Sequence, residues 1–149
     1  MITYESLTEE ALKAGLPPNK KRAILREYIQ TLILNAIYKH KLGNKLFFMG
    51  GTALRFLYSL PRFSEDLDFN ARKLTSGEFD ILTNEVIGNF LKNEGFEINV
   101  KRKDIYDVYS ARIGFTSVMK TYGITDQRGE DIVVKVEANQ PKWQIKYEP

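Results

Sequence analysis

Apolar residues recur along this chain in two alternating rhythms. From Leu25 they fall at threes and fours (Leu25, Tyr28, Ile29, Leu32, Ile33, Ala36, Ile37, His40), which predicts one long amphipathic helix ending near Leu42 and Gly43. Pro17 and Pro18 stand where its first turn would begin, since proline fits that position. A shorter amphipathic stretch, Ser6 to Lys13, precedes it and is closed by Gly15. Beyond the long helix, Lys45 to Met49 is a short apolar run ended by Gly50 and Gly51, and Thr52 to Leu60 resumes helical spacing until Pro61. Asp66 to Asn70 alternates polar and apolar as a half-buried strand does. Thr75 and Glu78 form a capping-box pair for a helix running through Phe79, Leu82, Val86 and Phe90 to Gly95. Strands are expected at Glu97 to Arg102, Val108 to Ser117 and Asp131 to Ala138, the last two separated by a polar loop with Gly123, Asp126 and Gly129. The order α, α, β, α, β, α, β, β, β suggests an α/β or α+β sheet with helices packed on it.

With 149 residues and no internal repeat or linker, the chain reads as one domain, residues 1–149. No apolar run approaches the roughly 20 residues of a membrane-spanning helix. The opening MITYESLTEE carries acids where a secretory signal carries bases, so a cytoplasmic location with no membrane association is expected. Cysteine is absent and His40 is the single histidine, which excludes thiolate zinc sites and cysteine nucleophiles. Any metal site is then built from oxygen ligands, which suits magnesium, manganese or calcium. Residues 1–75 carry 12 Lys or Arg against 7 acids and residues 76–149 carry 10 against 12, an imbalance that permits an anionic partner without requiring one. The basic cluster Lys20, Lys21, Arg22 and Arg26 could meet phosphates or form a solvated helix face. His40, at a helix end, reads as a capping or packing residue rather than a base.

The chemistry concentrates in Ser64-Glu65-Asp66-Leu67-Asp68-Phe69. Side chains two apart on a strand leave the same face, so Asp66 and Asp68 point together while Leu67 and Phe69 enter the core. Two like charges held that close repel unless a cation neutralises them, and magnesium accepts one or two carboxylates together with substrate phosphates. The same pair could equally be the solvated face of an edge strand. Gly50-Gly51-Thr52, between a strand and a helix, could let a phosphate approach backbone N–H groups, or could be a turn that needs glycine for its own dihedrals. Fourteen residues separate Gly51 from Asp66, so the turn and the acids could lie at one end of adjacent parallel strands. On Ile132 to Ala138, Val133, Lys135 and Glu137 share a face opposite the aliphatic row. If that strand lies beside the first, Glu137 reaches the same cation, with basic Lys135 next to it.

The stretch FMGGTALRFLYSLPRFSEDLDF, Phe48 to Phe69, resembles the hallmark of the AbiEii-like nucleotidyltransferases, toxins of abortive-infection, type IV toxin–antitoxin systems within the DNA polymerase beta-like superfamily. The match is dense over Gly50 to Arg55, Pro61, Arg62, Ser64 and Asp66 to Phe69, and VKVE, Val134 to Glu137, stands where the family places its third acid. The resemblance implies a nucleotidyltransferase-type mixed sheet of about five strands with flanking helices. It further implies that Asp66, Asp68 and Glu137 hold magnesium or manganese against an NTP, and that Gly50, Gly51, Thr52, Ser64 and Lys135 form the nucleotide cradle. Arg62 could neutralise phosphate charge or pair with Glu65. The implied reaction passes a nucleoside monophosphate to RNA, such as tRNA, or to a protein hydroxyl, and a cognate antitoxin is the implied partner. Family members usually continue into a helical C-terminal region, so the chain is expected to be the catalytic core without it. The alternative is a degenerate module of the same fold that binds NTP, RNA or a partner. Trp143, Lys146 and Tyr147 would lie in a tail that packs on such a continuation.

Overall fold

A computed structural model of the chain describes residues 3–15, 17, 19–59, 64–116, 118–123 and 132–141. The described strands are β1 (Leu46–Met49), β2 (Leu67–Ala71), β3 (Ile98–Ile105), β4 (Val108–Phe115) and β5 (Ile132–Asn139). They form one sheet in the order β1-β2-β5-β4-β3, mixed because β2 and β5 run parallel while every other pair is antiparallel. The mixed five-stranded sheet with flanking helices is as the sequence led one to expect.

The three inner strands carry the two-residue rhythm that the sequence showed. Leu67, Phe69 and Ala71 of β2, Ala111 and Ile113 of β4, and Ile132, Val134, Val136 and Ala138 of β5 all point into one core. Helix α2 (Lys21–Lys39) closes that core, burying Leu25, Ile29, Ile33 and Ile37 along one stripe against β5. It ends at His40, whose Nδ1 accepts the Leu42 N–H at 3.1 Å, so the histidine is a cap leading into a 3-10 turn over Lys41–Lys45. Helix α1 (Tyr4–Lys13), capped by Thr3, packs on α2.

The capping box also forms: the Thr75 hydroxyl accepts the Glu78 N–H at 3.1 Å and the Glu78 carboxylate accepts the Thr75 N–H at 3.0 Å. The helix it starts is interrupted, with α4 (Ser76–Asp80) passing through a π-helical stretch, Ile81–Ile87, into α5 (Gly88–Asn93). Hydrophobic spacing does not reveal this interruption, because Phe79, Leu82, Ile87 and Leu91 stay buried throughout. Helix α3 (Gly50–Tyr58) follows β1 directly, and a short α6 (Val118–Thr121) follows β4.

Several boundaries differ from the sequence expectation: α2 ends at Lys39 rather than near Leu42 and Gly43, β4 ends at Phe115 rather than Ser117, and two further differences bear on the site. β3 continues past the expected Arg102 to Ile105 and turns directly into β4, because Lys101, Lys103 and Ile105 alternate on an exposed strand face with no apolar row to mark the extension. Helix α3 starts at Gly50, so both glycines lie in its first turn. The helices cover one face of the sheet. The other face carries Asp68, Asn70, Lys101, Lys103, Ser110, Arg112, Lys135 and Glu137, and among the described residues no helix covers it.

Candidate active site

The acid pair reaches its position through backbone contacts from two helices. The loop before β2 is pinned by Gln30 of α2, a polar side chain only 1% exposed, whose amide donates to the carbonyls of Ser64 and Glu65 at 2.9 Å each. The buried Thr52 hydroxyl of α3 donates to the Asp66 carbonyl. Arg26 of the basic cluster reaches Glu65 at 3.8 Å. Asp66, Ser64 and Glu65 are therefore held by their main chain, leaving the Asp66 carboxylate exposed and that of Asp68 half-buried on the open sheet face.

Asp68 lies between two strands, with Met49 of β1 opposite it on one side and Glu137 of β5 on the other. The pairing with β1 is antiparallel, which corrects the expectation of adjacent parallel strands. The glycine turn and the acids still meet, because the C-terminal end of one antiparallel strand lies beside the N-terminal end of its neighbour. Gly50 there has φ +79°, and a Cβ on it would stand 3.0 Å from Asp68 Oδ2. The left-handed conformation favours glycine, and the close approach means that any Cβ there makes the Asp68 carboxylate shift. The N-terminus of α3 thus abuts the carboxylate.

Three negative groups share this spot. Burial pushes the Asp68 carboxyl above its usual range, and the neighbouring charges of Asp66 and Glu137 push the same way, with Lys135 opposing. Lys135 Nζ lies 2.7 Å from Glu137 Oε2, and that hydrogen bond raises the ammonium pKa further, with help from the charge of Asp66. A carboxylate that resists ionisation beside two others is a site short of positive charge. Asp66 and Asp68 suit magnesium or manganese, hard cations that take one or two carboxylates and fill their remaining positions with water and phosphate oxygens. Among the described residues no three His, Cys, Asp or Glu side chains gather into a ready-made metal cage. Glu137 is instead occupied by Lys135, so its joining a cation requires that ion pair to open.

Of the residues singled out from sequence, Gly50, Gly51, Thr52, Ser64, Asp66, Asp68, Lys135 and Glu137 are brought to this corner of the sheet. Thr52 acts on the Asp66 backbone, and Ser64 presents its carbonyl to Gln30. Arg62, Trp143, Lys146, Tyr147 and the loop residues Asp126 and Gly129 lie outside the described residues. Gln30 escaped sequence reading. Its signal was a polar residue between Ile29 and Ile33 on an otherwise apolar stripe, which is as common on a solvated helix face. The pair Glu27–Arg55, 3.1 Å apart and ties α2 to α3, was equally silent because its members are 28 positions apart.

Both the sequence and the fold have relatives. The family model described as nucleotidyl transferase AbiEii toxin, type IV TA system, matches residues 32–142. The chain belongs to that family. Among solved structures, it is similar to that of JHP933 from Helicobacter pylori, with 22% identity and a TM-score of 0.53 over 83% of this chain and 46% of that one. It is also similar to a structure from H. pylori described as a "putative nucleotidyltransferase", with 23% identity and a TM-score of 0.53 over 80% of this chain and 47% of that one. Both likenesses concern the fold, and the chain spans less than half the length of either structure. No curated protein matches. No helix among the described residues is long and apolar enough to cross a membrane.

Proposed function

We propose that this chain carries the catalytic centre of a magnesium-dependent nucleotidyltransferase toxin, moving a nucleoside monophosphate from an NTP to an acceptor hydroxyl. The observation that carries the reading is Asp68 set against the Gly50 turn, its carboxyl held back from ionising by burial and by the nearby charges of Asp66 and Glu137. Asp66 and Asp68 would hold the metal, which when bound activates the attacking hydroxyl and stabilises the leaving oxygen. Gly50 and Gly51 admit phosphate oxygens close to the main chain at the start of α3, where N–H groups favour negative charge. Lys135 offers a cation to the same charge and, in moving to it, frees Glu137. In the transfer a bond forms between the acceptor oxygen and the α-phosphorus, the bond to the bridging oxygen breaks, pyrophosphate departs, and the hydroxyl proton is released to water. The reading places the protein in the cytoplasm, with its NTP supply, and gives it a cognate antitoxin.

Incubation with α-labelled NTPs, magnesium or manganese, total RNA and protein is expected to label an acceptor. Asp68→Asn, which keeps the shape and removes the charge, is expected to abolish labelling. Undiminished labelling by that variant would sink the metal assignment. The Lys135–Glu137 pair favours a second reading, a module of the same fold that binds NTP without turnover. Calorimetry with NTP and magnesium separates the two, since such a module gives heat of binding and no pyrophosphate.

A further inference from the structure

Helix α3 begins at the glycine turn, yet little apolar surface holds it in place. Its buried residues are Thr52, Ala53 and Arg55, while Leu54, Leu57 and Tyr58 are exposed. It rests on β1 and β2, where Phe56 meets Phe48 with ring centres 6.3 Å apart, and its backbone hardly approaches α2. Directional bonds therefore set how it lies. Thr52 donates to the Asp66 carbonyl, and three residues on, Arg55 Nη2 reaches across the gap to Glu27 Oε1 of α2 at 3.1 Å. Gln30, three residues on from Glu27, donates to the carbonyls of Ser64 and Glu65. The contacts close a ring: α2 to the segment 64–66, that segment to α3, and α3 back to α2 through Arg55 and Glu27.

Stability does not explain the last link. The Glu27 and Arg55 side chains are 19% and 8% exposed, and Glu27 Oε2 is buried with no hydrogen-bond partner among the described residues. Burial pushes the Glu27 carboxyl above its ordinary range by more than the charge and hydrogen bond of Arg55 draw it down. Desolvation costs a buried ion pair so much that well-packed apolar residues in its place are often no less stable. What the pair supplies and apolar packing does not is a fixed length and direction. At 1.5 Å per residue, Arg55 stands roughly 4.5 Å along the helix axis beyond Thr52, and Gly50 roughly 3 Å before it. With Thr52 held at Asp66, α3 is a lever, and a movement of Arg55 swings Gly50 the other way. Gly50 is the end set closely against Asp68, where a Cβ would stand 3.0 Å from Oδ2.

We propose that Glu27 and Arg55 are positioning residues, an ion pair that sets the start of α3 against Asp68 so that its N–H groups meet the triphosphate of a bound nucleotide. Arg55, buried and engaged by Glu27, acts through the main chain of α3 and not on the ligand. The setting of α3 follows from the contacts alone; the triphosphate as its ligand rests on the nucleotidyl-transfer reading.

The probe is magnesium tripolyphosphate, which presents the phosphates without a base, titrated by calorimetry into the full chain. Glu27→Leu combined with Arg55→Met removes both charges at similar volume and should melt no lower than the wild type. Its affinity for the probe should fall roughly 10- to 100-fold, the worth of one hydrogen bond to a charged group. Manganese alone, read by its paramagnetic resonance, should bind as it does to the wild type, because Gln30 still holds the loop before the acids. Peptides covering 50–58 should exchange with deuterium faster in the double variant, and those of β5 at the same rate. Glu27→Gln, which keeps an acceptor for Arg55 at the same reach, should retain most of the affinity for the probe. The proposal is overturned if the double variant binds the probe like the wild type, melts lower, or loses manganese as well, or if Glu27→Gln behaves like the double variant. A wild type that binds no magnesium tripolyphosphate sinks the nucleotidyl-transfer reading and the ligand with it, whereas exchange of 50–58 in the double variant still decides whether the pair sets α3.

Discussion

Gly50 meets Asp68 with no room to spare, and this contact sets what either residue tolerates. Gly50→Ala introduces both a left-handed alanine, costing about 1–2 kcal/mol, and a Cβ 3.0 Å from Asp68 Oδ2. The variant is expected to lose that much stability in a urea titration and to lose NTP binding by calorimetry as the carboxylate is displaced. Gln30→Leu keeps an apolar volume in α2 but leaves the carbonyls of Ser64 and Glu65 without their donor, at about 1–3 kcal/mol for each one left unsatisfied. A loss of stability together with weaker transfer is expected, and unchanged transfer would show that the loop does not need its anchor. The acids and the glycine turn were legible in the sequence because their spacing is local. Gln30 was not, since its partners lie 34 and 35 positions away and nothing in a helical pattern points to a loop.

At the scale of elements, the helix after β2 is started by a cap that is also an ion pair. Glu78 accepts from Lys45 Nζ at 2.6 Å while serving the capping box, and the Lys45 hydrogen bond, followed by that of the Thr75 backbone, holds its carboxyl below the usual range. A carboxyl whose folded pKa is depressed contributes stability that is present above its unfolded pKa and lost as pH falls through the folded one. The melting temperature of the wild type should therefore fall more steeply than that of Glu78→Gln as pH drops below about 4.5, the ordinary glutamate value. Parallel curves for the two would remove Glu78 from the account. The capping box was readable because Thr75 and Glu78 are three apart. The π-helical stretch beyond it was not, since buried residues stay buried whether the turn holds four residues or five. The orientation of β1 against β2 was misjudged for a related reason: hydrophobic alternation fixes the face of a strand and carries no information on its direction.

Across the whole molecule, stability should follow the order of the strands. β5 and β2 are flanked on both sides, whereas β1 and β3 are edges. Amides of β5 are expected to exchange with deuterium only on global unfolding, and those of β3 near Ile105 sooner, as mass spectrometry of exchanged peptides would read. The number and phase of the strands were legible from alternation. Their order was not, because β2 and β5 join across more than sixty positions, and only the face shared by Lys135 and Glu137 hinted that they meet. That long connection has a temporal side. The central strand is the last to be synthesised of the five, so in a growing chain the β1–β2 and β3–β4 pairs cannot be joined into one sheet until residues 132–139 leave the ribosome. Loop closure over such a separation is slow, and Glu137 arrives beside Asp68 only when it is complete. For a toxin this sets an order of events: no nascent copy owns the assembled centre until residues 132–139 have emerged and paired.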